Sequence, residues 1–238
     1  MDPRLSSPRQ TPLPLGDQQY NLSVFLTKVY GWMAAALLLT AATALMVASS
    51  PAAIEAVFSN RLVFYALIFG ELGLVMFISA RIHALQASTA IFLFMVYAVL
   101  NGVTMAAIFM LYTSTSIAAT FAVTAGTFGA MSIYGYVTKT DLSRFGNLLL
   151  MALVGLVIAS LVNMFLHNSL LQTVISGVGV LLFTALTAYD TQKIKAQALE
   201  MGSEGEAGAK VALMGALTLY LDFINLFLFL LRFFGNRR

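Results

Sequence analysis

Cysteine is absent from the 238 residues. Disulfides, thiolate metal sites and a cysteine nucleophile are therefore excluded. Histidine occurs only twice, which leaves little material for zinc, and no cofactor is expected. Charge is scarce: Asp, Glu, Lys and Arg make up 10% of the chain, against about 25% in a soluble domain. The stretch from Ile82 to Thr138 contains none of them. What fills the chain instead is apolar, 60% of all residues, with a mean hydropathy of +0.87. An ordinary soluble globule is ruled out. The net charge is only +3, and the basic residues flank apolar runs, so they point to membrane topology and not to nucleic acid.

Proline is concentrated at one end. Pro3, Pro8, Pro12 and Pro14 fall among Ser, Thr and Gln. Such a segment buries too little apolar surface to offset its ordering entropy. Residues 1–20 are therefore expected to form a disordered cytoplasmic tail, and residues 21–238 a single transmembrane domain. A cleaved signal peptide does not fit. Val29 to Ile54 runs 26 residues without charge, longer than a signal-peptide core of about 7–15.

Seven apolar segments follow: Val24–Ser49, Leu62–Ala80, Ala87–Tyr112, Ser116–Val137, Phe145–Leu166, Leu170–Ile194 and Val211–Phe233. Each approaches or exceeds the roughly 20 residues a bilayer requires. In lipid, an open chain satisfies its backbone donors and acceptors only as a helix. The expected fold class is an all-α polytopic membrane protein, a seven-transmembrane helix bundle embedded in the lipid bilayer. A long polar loop is expected over Ala196–Lys210. With the N-terminus cytoplasmic, nine Lys and Arg lie inside and four outside, which favours this orientation. Three of the four outside are Arg232, Arg237 and Arg238, against the trend.

The informative residues are ionisable groups within the spans, since a charge at the bilayer centre costs about 2.5–3.5 kcal/mol on insertion scales. They are Glu71, Asp190 and Asp222. Gly215, Thr218, Asp222, Asn225 and Arg232 share one stripe of the last span. Thr173, Ser176, Thr184, Thr187 and Asp190 or Thr191 share one on the sixth. Successive spans are often neighbours, so the two acidic stripes are expected to face each other. By rise per residue, Asp222 lies roughly 10 Å deeper than Asp190, a gap that tilt or an earlier start of the last helix must close. If the carboxyls meet, both cannot easily ionise, and a proton shared between them would hold the helices together. Deprotonation would separate them or recruit a cation. Arg81 is a candidate counter-ion for Asp190. The competing reading makes each carboxyl a hydrogen-bonded packing group. The polar stripe Tyr97, Asn101 and Thr104, the threonines Thr120, Thr124 and Thr127, and Gly126, Gly129, Gly155, Gly177 and Gly179 read as packing.

The segments Ala188-Tyr-Asp-Thr-Gln-Lys-Ile194 and Ala216-Leu-Thr-Leu-Tyr-Leu-Asp-Phe-Ile-Asn-Leu-Phe-Leu-Phe-Leu-Leu-Arg-Phe-Phe-Gly235 resemble the Bax inhibitor-1 family, also called the transmembrane Bax inhibitor motif family. Tyr30-Gly-Trp-Met33, Phe128-Gly-Ala-Met-Ser132 and Asp141-Leu-Ser143 resemble its bacterial inner-membrane branch. The resemblance implies seven helices with the last one central, and a pH-sensitive calcium leak or a regulator of stress responses. It places the family's di-aspartyl pH sensor on Asp190 and Asp222, with Ca2+ held there only transiently, its latch arginine on Arg81 and its second-helix acid on Glu71. It implies that the protein is no enzyme and resides in the bacterial inner membrane. Thr187, Thr218 and Asn225, polar neighbours of the pair on the two stripes, are candidates for an ion path. Some relatives are thought to engage a membrane protease, so a non-conducting modulator is the alternative. An intramembrane aspartyl protease is remote: Leu219-Tyr-Leu-Asp222 lacks the Gly-x-Gly-Asp pattern. A retinal protein is disfavoured, because the last span has no mid-membrane Lys.

Overall fold

A computed structural model describes residues 15–201 and 205–237, with side chains over 19–200 and 205–237. Eight α-helices follow in order: α1 (Leu15–Ala48), α2 (Pro51–Phe58), α3 (Arg61–Arg81), α4 (Ala87–Leu111), α5 (Ser114–Val137), α6 (Gly146–Leu166), α7 (Ser169–Met201) and α8 (Gly205–Phe234). A short 3-10 turn, Leu142–Phe145, leads into α6. Seven of these elements are long and apolar enough to cross a membrane. Most of the tail expected over residues 1–20 lies outside the described residues, and from Leu15 onward the chain is already helical.

Local chemistry fixes the breaks. Ser50 caps α2 by accepting from the Ala53 amide, and Pro51 occupies the first turn, where its missing N–H costs nothing. Asn60 and Thr113 cap α3 and α5 in the same way. His167 closes α6 in the left-handed region at φ 50°. The Asn163 side chain receives the Asn168 amide just beyond it, satisfying a donor the turn would otherwise leave free.

Two expectations need correction. The polar loop over Ala196–Lys210 is largely helical: α7 continues to Met201 and α8 begins at Gly205. The sequence there is charged but contains strong helix formers such as Ala, Leu, Glu and Lys, so it extends the rods beyond their apolar parts. The second correction is α2, a two-turn helix without buried residues that the apolar pattern does not reveal.

The core surrounds α8. Its most apolar stretch is 67% buried, against 6% for α3 and 11% for α6. It packs against α1, α4, α5 and α7, so the last helix is central. Tyr220, Leu213, Leu217, Leu219 and Leu226 are almost fully enclosed, along with Phe25 and Val29 of α1 and Phe94 of α4. The apolar residues left exposed lie mainly on the outer faces of α3, α5 and α6, where lipid replaces water as solvent. Close approach occurs at Gly102 and Gly135. A Cβ at Gly102 would strike the Thr40 carbonyl oxygen of α1, and one at Gly135 would strike the Ala188 carbonyl of α7. Gly126, Gly129 and Gly155, expected to permit such approach, face open space instead.

Candidate functional site

The α7–α8 pair brings together the two aspartates of the last spans. Ile194 lies against Gly215, Phe183 stacks on Phe229 at 5.7 Å, and Phe233 borders Gly177. On this antiparallel register Asp190 stands opposite Asp222. Their carboxyls are neighbours at the α7–α8 seam. The gap in depth expected from the apolar limits is closed by the earlier start of α8, at Gly205.

Both side chains are buried: Asp190 is 9% exposed and Asp222 5%. Asp222 Oδ2 is enclosed and has no hydrogen-bond partner. A carboxylate only accepts hydrogen bonds, so two of them in contact are bonded only when one carries a proton. With both ionised they repel, and only a cation restores balance. The positive charge felt by Asp190 belongs to Lys193, one turn onward, which is exposed and sits 5.9 Å from the Tyr189 ring centre. Arg81, the expected counter-ion, is exposed and makes no ion pair among the described residues. Its helix, α3, packs chiefly on α4 and α2 and not on α7. Thr191, next to Asp190, is 3.4 Å from the Tyr30 hydroxyl of α1.

The other expected site residues are dispersed. Thr187 Oγ1 donates to the Phe183 carbonyl at 2.8 Å, and Asn225 Nδ2 donates to the Leu221 carbonyl at 2.8 Å, so both bond within their own helices. Thr218 is half-buried. Glu71 borders a second polar cluster, with Thr104, Tyr97 and Tyr220 as its polar neighbours. Asn101 Nδ2 donates to the Tyr97 hydroxyl at 3.5 Å. The α4 stripe that reads as packing is thus also the polar lining opposite Glu71. Glu71 Oε1 and Asn101 Oδ1 are buried without partners. Thr40 joins this region by its bond to Tyr220, a contact that the sequence signals only as one hydroxyl within an apolar helix.

Among the described residues no group of three or more His, Cys, Asp or Glu could hold a metal ion. Ca2+ normally takes six to eight oxygen ligands, more than the two carboxyls supply.

A central helix buried by four others, lipid-facing outer rods and a carboxyl pair in the core define an all-α polytopic membrane protein. The chain belongs to the family described as "Inhibitor of apoptosis-promoting Bax1" (Bax1-I), whose model matches residues 22–238. It is similar to the "Inner membrane protein YbhL" of Escherichia coli K12, 52% identical over 218 residues, covering 91% of this chain and 93% of that one. It is also similar to an uncharacterized protein of Borreliella burgdorferi, 47% identical and covering 90% and 92% of the two chains. An uncharacterized membrane protein of Streptococcus pyogenes is 39% identical over 175 residues, covering 74% and 75%.

Proposed function

We propose that this protein is a pH-sensitive cation leak of the bacterial inner membrane, with Ca2+ as the cargo and the Asp190–Asp222 contact as its gate. The N-terminus is cytoplasmic in this reading, as the distribution of Lys and Arg favours. The observation that carries it is two buried carboxyls in contact, with one oxygen unpartnered. At low pH one proton bonds the pair and holds α7 against α8. At higher pH that proton leaves, the carboxylates repel, and the helices part or admit a cation. Glu71, with its unpartnered oxygen, supplies a second acidic point for a cation inside the bundle.

The test is Ca2+ entry into dye-loaded liposomes between about pH 6 and pH 8, bracketing the titration of a buried carboxyl. Wild-type flux should rise with pH. Asp222→Asn, which keeps a hydrogen-bond donor at every pH, should hold the gate shut and flatten the profile. Flux that is identical in wild type and Asp222→Asn overturns the proposal. If a membrane protease also co-purifies in that case, a non-conducting modulator takes its place.

A further inference from the structure

A cleft of about 1030 Å³ opens between α6 and α8 across α7, at the end of the bundle that carries the α6–α7 turn. Its floor is apolar, with Leu153, Leu156, Phe183 and Phe229. Its mouth carries two guanidinium groups, Arg232 and Arg237, and no acidic residue lines it. Both arginines are held on aromatic faces. Arg232 lies 5.6 Å from the Phe229 ring centre, and Arg237 lies 5.9 Å from that of Tyr112. The backbone beneath Arg237 is also fixed: Asn236 donates to Ser116 Oγ at 3.0 Å, and its carbonyl accepts from the Thr113 amide at 3.2 Å. Neither arginine makes an ion pair among the described residues.

A third observation lies at the α6–α7 end of the cleft. Gln172 accepts from Asn163 Nδ2 at 3.1 Å, but its own Nε2 is buried without an acceptor. The walls thus present donors at two places and no compensating anion. On one flank the cleft runs into the outward face of α6, where Val157, Leu161 and Met164 line it and remain about half exposed. A small free anion would use the mouth and leave that apolar flank bare.

We propose that the cleft binds an anionic phospholipid, with its headgroup phosphate on Arg232 and Arg237 and an acyl chain laid along α6. Guanidinium forks match phosphate oxygens in bidentate geometry. Basic pockets between membrane helices hold lipid headgroups on the same principle. The site also gives a role to arginines that stand at the end of the bundle with few positive residues, where four of the thirteen Lys and Arg lie. It is independent of ion conduction.

The test uses the full chain in detergent and native mass spectrometry, with phosphatidylglycerol and phosphatidylcholine of identical acyl chains in equal amounts. Both lipids offer the phosphate, but phosphatidylcholine adds a choline cation that the two guanidiniums repel and no acidic residue offsets, so phosphatidylglycerol should be retained on the order of tenfold better. Arg232→Gln combined with Arg237→Gln should abolish the preference. Arg61→Gln, at the same end of the bundle but on α3, should leave it intact. Ser160→Trp fills the cleft and should lower lipid retention with both arginines in place. Equal retention of the two lipids by the wild type overturns the proposal. So does a preference that survives the double substitution, or displacement of the lipid by millimolar inorganic phosphate, which would assign the site to a free anion.

Discussion

The Thr40 and Tyr220 hydroxyls lie 2.7 Å apart, and Thr40 Oγ1 donates onward to the Ala98 carbonyl at 2.9 Å. Tyr220 is therefore the donor to Thr40, and a single threonine ties α1, α4 and α8 together. The two possible deletions differ in kind. Tyr220→Phe removes the donor and leaves Thr40 bonded to Ala98, so it should cost about 0.5–1.5 kcal/mol. Thr40→Val leaves the Tyr220 hydroxyl buried without an acceptor and should cost about 1–3 kcal/mol. Unfolding midpoints in detergent should rank Thr40→Val below Tyr220→Phe. The reverse order would show that Tyr220 has another acceptor.

Helix contact at glycine gives a second comparison. Gly135→Ala drives a methyl into the Ala188 carbonyl, where backbone must shift, and should destabilise by about 1–3 kcal/mol. Gly129→Ala sits six residues earlier on the same helix with nothing within 4 Å. It should be neutral or stabilising by up to about 1 kcal/mol, because alanine is the better helix former. Equal effects on thermal unfolding would mean that α5 does not approach α7 at Gly135.

The gate requires a pH dependence that belongs to the pair. Asp190→Asn and Asp222→Asn should each flatten the rise of Ca2+ flux with pH, and the double variant should add little, because the two groups act as one titrating unit. Independent, additive effects of the two substitutions would place the aspartates in separate roles.

At the α5–α6 turn, Gln192 accepts from the Leu142 amide at 2.8 Å and donates to the Thr140 carbonyl at 2.9 Å. Gln192→Glu loses that donor and sets a carboxylate against a carbonyl. Hydrogen exchange over 139–145 should quicken in this variant. The neighbouring Asp141 is held below the ordinary carboxylate range by hydrogen bonds from Ser143 and by Arg144. A lowered native value means that its cap is intact at neutral pH and is lost as the pH falls below about 4. Exchange at Ser143, corrected for the intrinsic rate, should lose protection over that range in the wild type. In Asp141→Asn, which still accepts, the protection should not depend on pH there.

Span number and position were legible because lipid imposes a length and forbids charge. Ends were less legible. Apolarity stops near Ile194 and resumes near Val211, but helix propensity continues through Lys195, Ala196, Gln197, Ala198, Leu199 and Glu200. The register of α7 on α8 depends on those extra turns, which supply the earlier start that brings Asp222 level with Asp190. The surroundings of Arg81 are illegible for another reason. Position along the membrane normal is readable from sequence, but lateral neighbours are not, and α3 packs on α4 and not on α7. The Glu71 cluster was hidden the same way: Tyr97, Asn101 and Thr104 announce a polar face without announcing what it meets.

Because α6 is joined to the bundle chiefly along α7 and through its own 3-10 turn, peeling it outward would uncover none of the side chains sealed between α1, α4 and α8. α6 therefore walls the cleft from the side, while the seal between α1, α4 and α8 stands without it.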